Sequence, residues 1–176
     1  PMKKIAVFII AAALLAALSI PAFASAAPGG ETAAESGFAG STLTKEQRQQ
    51  LAEGLREVRQ NHLQIKEISL KNAELRISLR TQIKELKENG ISLPDETLAQ
   101  LEAMQAELQT LRAKAGETLG DVRALSLAFR SSRLSDDFDG MTQKLDSIIS
   151  TQAPRIDLMG QINAVLDEMN TLLSGT

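Results

Sequence analysis

The chain has 176 residues, of which 43% are hydrophobic, 23% charged and only 3% aromatic, with a formal charge of −3. It contains no Cys, Trp or Tyr and a single His. Those absences exclude disulfide scaffolds, thiol nucleophiles, cysteine-ligated zinc, iron–sulfur centres, paired-histidine chemistry and aromatic platforms for stacking bases or sugars.

In chain order, the first segment reads as an address. Lys3 and Lys4 precede an apolar run from Ile5 to Ile20, closed by Pro21 and by Ala22-Phe23-Ala24. A basic start, a 16-residue apolar stretch and small residues at the first and third places of the last tripeptide predict a secretory signal peptide over residues 1–24. The run is short for a hydrocarbon core of about 30 Å, which disfavours an uncleaved anchor. No Cys stands beside the cleavage site, so the chain is not expected to be a lipoprotein. The predicted location is extracytoplasmic, secreted or in the periplasm and cell envelope, with membrane contact only through the signal peptide before cleavage. Without that segment, 17 basic face 22 acidic side chains, a balance of −5, so nucleic acid is not an expected partner.

Residues 25–42 are small, polar and Gly-rich, too poor in apolar surface to offset the entropy of ordering, and are predicted to form a flexible leader. The helical domain is expected over 43–176. Thr44 and Gln47 have capping-box spacing, which predicts a helix start.

Beyond that cap, apolar side chains recur at Leu51, Leu55, Val58, Ile65, Ile68, Leu75, Leu79, Ile83 and Leu86, with His62 and Asn72 in the two vacant steps. The mean step is 3.5 residues, the coiled-coil period. No Pro interrupts residues 45–89, and Asn89-Gly90 offers a left-handed stop. A first helix over 45–89 would be about 67 Å long at about 1.5 Å per residue.

The short link Gly90 to Pro94 predicts a reversal, with Leu93 and Leu98 placed for a hydrophobic staple. A second helix, 95–130, carries Leu98, Leu101, Met104, Leu108, Leu111, Ala115, Leu119, Val122, Leu125 and Phe129 on one stripe. Gly116 and Gly120 weaken it by about 1 kcal/mol each and mark a bend, a close approach or fraying. Residues 130–135 form the second turn, with Ser135 expected as cap and Asp136, Asp137 and Asp139 favoured by the helix dipole. A third helix, 136–173, continues the stripe through Met141, Leu145, Ile148, Ile156, Met159, Ile162, Leu166, Met169 and Leu173. The stripe keeps phase across Pro154, which favours one kinked helix over two. The fold expected is all-α: an elongated, antiparallel three-helix bundle or coiled coil in up-down-up order. Residues 45–89 hold ten basic and seven acidic side chains and residues 136–173 two and seven, so opposite charge favours contact between the first and third helices.

Candidate sites are few. His62 reads as a half-buried core residue and Asn72 as a register-setting one. Ser135-Asp136-Asp137-Phe138-Asp139-Gly140 with Asp146 partly matches a calcium loop, but Ser135 stands where Asp is needed and Asp146 where a bidentate Glu is usual. Leu63, Leu70 and Ile77 form a second apolar row spaced by seven. A bundle helix faces two neighbours, so this row is expected to pack against the third helix; its functional alternative is an exposed protein-binding strip for self-association or for holding unfolded chains. Arg76, Arg80, Lys84 and Lys87 make a basic ridge expected to be solvated. No nucleophile elbow, P-loop, zinc-protease or nucleotide fingerprint occurs. No catalytic, metal-binding or cofactor-binding residue is predicted, and the chain is not expected to be an enzyme.

Leu43-Thr44-Lys45-Glu46-Gln47, following a signal peptide and leader, resembles the LTxxQ element of the Spy and CpxP family of periplasmic helical proteins. The resemblance implies an ATP-independent chaperone or envelope-stress regulator that holds clients on a helical surface. It carries over only Leu43, Thr44 and Gln47, in a structural role. The family normally has a second LTxxQ copy; the second helix here begins Leu93-Pro94-Asp95-Glu96-Thr97, which keeps Leu and an acid but loses the motif's Thr and Gln. The long charged helices also resemble secreted coiled-coil proteins of Gram-positive bacteria, from which no function follows. The expected function is non-enzymatic binding to a protein partner or to a second copy, as in a homodimer, with a purely structural coiled coil as the alternative.

Overall fold

In the computed structural model, residues 42–175 are described. They form three helices, α1 (Lys45–Glu88), α2 (Asp95–Leu134) and α3 (Phe138–Ser174), of 44, 40 and 37 residues, and no strand occurs among the described residues. The protein is an all-α three-helix bundle. The signal peptide and flexible leader read from the sequence lie outside the described residues, apart from Thr42. Contacts divide the chain into two compact units, each built from a piece of every helix.

The first unit comprises 42–66 and 115–157 of the described residues. Its entry is the capping box: Thr44 N–H donates to Gln47 Oε1 at 2.9 Å and Gln47 N–H to Thr44 Oγ1 at 3.2 Å. Leu43, Leu51 and Val58 of the α1 side meet Phe129 of α2 and Met141, Leu145 and Ile148 of α3 in one buried cluster. Gly54 permits the close approach of α3, since a Cβ there would stand 3.1 Å from Leu145 Cδ1.

The turn from α2 to α3 differs from the expectation. α2 continues to Leu134, and Ser135 does not cap α3; its hydroxyl donates back to the Ser131 and Ser132 carbonyls. Asp136 takes the left-handed conformation (φ 51°), and the Asp136 and Asp137 amides donate to the Arg133 and Ser132 carbonyls. That is the Schellman pattern, with Asp where Gly is usual. Asp136 Oδ2 also accepts from Thr42 N–H and Oγ1 at 3.2 and 3.4 Å, which ties the turn to the start of α1. The true cap is Asp137, whose Oδ1 accepts from the Gly140 amide at 2.9 Å. Ser135 lies within the turn that closes α2, and α3 begins only after Asp137, at Phe138.

The second unit comprises 67–114 and 158–175 of the described residues. Leu79 and Ile83 of α1, Leu101, Leu108 and Leu111 of α2 and Met159, Ile162, Leu166 and Met169 of α3 are buried there. α1 ends as expected at Gly90 (φ 66°), with the Gly90 and Ile91 amides donating to the Lys87 and Leu86 carbonyls. In the first unit Gly54 lies against Leu145 and Val58 bonds Gln152, and in the second the bonded residues of α1 and α3 stand 87 to 95 apart and rise together, so within each unit these two helices run parallel. α2, joined to both by short turns, runs the other way.

α3 runs unbroken through Pro154, which is exposed. Gly116 and Gly120 make no close approach: a Cβ at either would meet nothing within 4 Å. Asp137→Ala should cost about 1 kcal/mol by loss of the cap, whereas Ser135→Ala should change stability by only a few tenths. Urea unfolding of the two variants checks the assignment, and the reverse order would refute it.

Candidate functional site

Leu63, Leu70 and Ile77 are 63%, 58% and 63% exposed on α1. The expectation that they pack against the third helix is therefore corrected. Leu70 and the fully buried Leu79 are nine residues apart, two and a half helical turns, so they lie on opposite faces. Both neighbouring helices are met by the Leu79 face, and the row turns outward. Its flanks differ in charge. Four residues after each row member stand Glu67, Glu74 and Thr81, all exposed; three residues after stand Lys66, Ala73 and Arg80, of which Lys66 is exposed and the others half-buried. Glu67 also pairs with Lys71 at 3.0 Å on the outer side of its flank.

His62 is half-buried, as its stripe position implies. Burial, and then the charge of Lys66, hold its pKa below the ordinary value of about 6.5. Asn72 is buried and polar-bonded: its Nδ2 donates to the Met159 carbonyl at 3.1 Å, and its Oδ1 accepts from Asn163 Nδ2 at 2.9 Å. Asn170 does similar work, donating to the Leu75 and Leu166 carbonyls at 3.0 and 2.8 Å.

The basic ridge is only partly solvated. Lys84 and Lys87 are exposed, but Arg76 and Arg80 are half-buried, and Arg112 of α2 lies within range of the Arg76 charge. Burial and the charge of Arg80 lower the Arg76 pKa; burial and the charge of Arg76 lower that of Arg112. Arg76 Nε donates to the Asn72 carbonyl at 3.2 Å. In the other unit, Arg155 is buried and donates to the Ala115 carbonyl and to Thr118 Oγ1, while Gln152 Nε2 donates to the Val58 carbonyl at 3.3 Å.

The acids of the Ser135–Asp146 stretch do not converge. Asp136 is turned to Thr42 and Asp137 to the Gly140 amide, and Asp146 is exposed on α3. Among the described residues no group of three or more His, Asp or Glu stands together as a metal cluster would. An open, shallow groove of the second unit is lined by Lys71, Glu74, Leu75, Ser78, Asn163 and Asp167, and it mixes charges without a convergent acid and base. Among the described residues no helix is long and apolar enough to cross a membrane.

Sequence reasoning placed the row correctly on the first helix but missed the buried polar residues Gln152, Arg155 and Asn170. Gln152 had left a trace: the third stripe skips eight residues from Ile148 to Ile156, and Gln152 fills the midpoint. The exposed Leu127 and Leu134 of α2 were missed as well. The chain matches no family model, no curated protein and no solved structure.

Two outcomes follow. Because folding lowers the His62 pKa, the unfolded chain takes up this proton first as pH falls, so the contribution of His62 to stability is full above about pH 6.5 and declines below it. His62→Gln should flatten that part of the profile between pH 7 and pH 5; identical slopes in the two proteins would refute the assignment. Asn72→Leu should cost about 1–3 kcal/mol, because it leaves the Asn163 amide without its acceptor. Chemical unfolding at neutral pH measures it.

Proposed function

We propose that this protein is an extracytoplasmic, non-enzymatic helical binding protein whose contact surface is the Leu63, Leu70 and Ile77 row of α1. The observation that carries the reading is the exposure of these three large apolar side chains at a seven-residue spacing on one helix. Solvated apolar side chains in a regular row are what a partner helix or an unfolded segment recognises, through anchors spaced at whole helical turns. Scattered exposed leucines need no explanation, but a coiled-coil period on a face turned away from the bundle's own helices does. The row sits among Lys66, Glu67, Lys71 and Glu74, a polar rim of the kind that surrounds contact patches.

The non-catalytic part of the reading rests on composition: there is no Cys, and the only His belongs to the packed stripe. The extracytoplasmic part rests on Lys3, Lys4, the Ile5 to Ile20 run and Ala22-Phe23-Ala24. The LTxxQ resemblance at Leu43, Thr44 and Gln47 supports a chaperone-like or stress-regulatory version of binding without ATP. A structural, self-associating coiled coil is the second reading, favoured by the heptad spacing of the row.

The test is mass in solution together with binding of a hydrophobic dye and suppression of aggregation of a denatured test protein without ATP, each with and without Leu70→Glu. Leu70 is 58% exposed, so the substitution leaves the core intact. Either the mass should fall from that of a dimer to that of a single chain, or dye binding or client protection should fall several-fold. If Leu70→Glu moves none of them, the row is not a contact surface.

A further inference from the structure

We infer that the occupant of the α1 row is the same row of a second copy of this chain, with the two α1 helices parallel and in register. The inference rests on the reading of the row as a contact surface and names its partner.

Charge selects both the partner and its direction. On one side of the row stand Glu67 and Glu74, four residues after Leu63 and Leu70, with Lys71 further round the helix; on the other side the exposed charge is Lys66, three residues after Leu63, followed by Ala73 and the half-buried Arg80. On a helix, positions at +3 and +4 lie on opposite sides of the row they follow. A two-fold axis parallel to two facing helices sets the +4 side of one against the +3 side of the other. Glu67 then stands level with Lys66 of the second copy, and the same pair recurs across the axis. Leu63, Leu70 and Ile77 each meet their own counterpart, as the knobs of a parallel coiled coil do. An antiparallel pair would instead set the +4 sides together, bringing Glu67 and Glu74 against the Glu74 and Glu67 of the other chain. Like charges directly opposed disfavour that arrangement.

The Glu67–Lys71 pair does not oppose this exchange, because it is an exposed i,i+4 contact with side chains 67% and 60% solvated. Such a contact gives way at little cost. Three apolar residues per chain make a short seam, so the pairing is expected to be reversible and concentration-dependent rather than obligate.

The chain has no Cys, which makes single-cysteine variants unambiguous. Leu63→Cys and Ile77→Cys, each in the full chain under a mild added oxidant, should form disulfide-linked dimers with themselves. A mixture of the two should give little cross-product. Glu67→Lys should cut the Ile77→Cys cross-linking rate several-fold, and Lys66→Glu combined with Glu67→Lys should restore it. Folding of every variant is checked by helical circular dichroism. A dominant product joining position 63 to position 77 would mean antiparallel pairing and overturn the inference. Absence of dimers at any concentration would also overturn it, while leaving the row available to another polypeptide if Leu70→Glu still weakens dye binding or client protection. Dimers insensitive to Glu67→Lys would remove the electrostatic selection on which the inference stands.

Discussion

In each unit α1 spends a single face on two neighbours. Packing both α2 and α3 against one stripe of 3.5-residue period seals Leu51 and Val58 in one unit and Leu79 and Ile83 in the other. The same geometry forces whatever lies half a rotation away to face solvent. Leu63, Leu70 and Ile77 occupy that outer face, so their exposure follows from how the inner face is shared. The burial of the stripe and the availability of the row are therefore one constraint seen from two sides.

Polar groups set where the helices meet. An apolar stripe tolerates sliding by a heptad, because leucine replaces leucine. Asn72, Gln152 and Asn170 do not, since each donates to a particular main-chain carbonyl of the facing helix: Met159, Val58 and Leu75. A slip would leave these amides buried without acceptors, at about 1–3 kcal/mol each. Arg155 extends the same logic to α2 through the Ala115 carbonyl and Thr118. Replacing both partners of such a contact by apolar groups would cost little, whereas removing one partner, or slipping the register, leaves the other buried and unpaired.

Features decided locally were legible in the sequence. The Thr44–Gln47 box and the Gly90 stop need only neighbouring residues, and both are present. The three stripes were legible because burial follows the hydrophobic period. The cap of α3 was misplaced because Ser135 and Asp137 are both good caps, and only the left-handed turn at Asp136, anchored by the distant Thr42, decides between them. Arg155 and Asn170 were invisible because each stands beside an apolar residue, Ile156 or Met169, that already fills its step of the period, leaving no vacancy of the kind that His62 and Asn72 occupy. The direction of the Leu63, Leu70 and Ile77 row could not be read from spacing either, since spacing shows that a row exists and tertiary packing alone says what covers it.

The central claim is that α1 has one sealed face and one open face. Methyl relaxation in the presence of a soluble, uncharged paramagnetic agent, at a concentration low enough for single chains, measures this directly. Strong broadening of the Leu63, Leu70 and Ile77 methyls with sharp, protected Leu51, Leu79 and Ile83 signals is the expected result. Equal protection of both sets would contradict it, because the outer row would then be covered by its own chain.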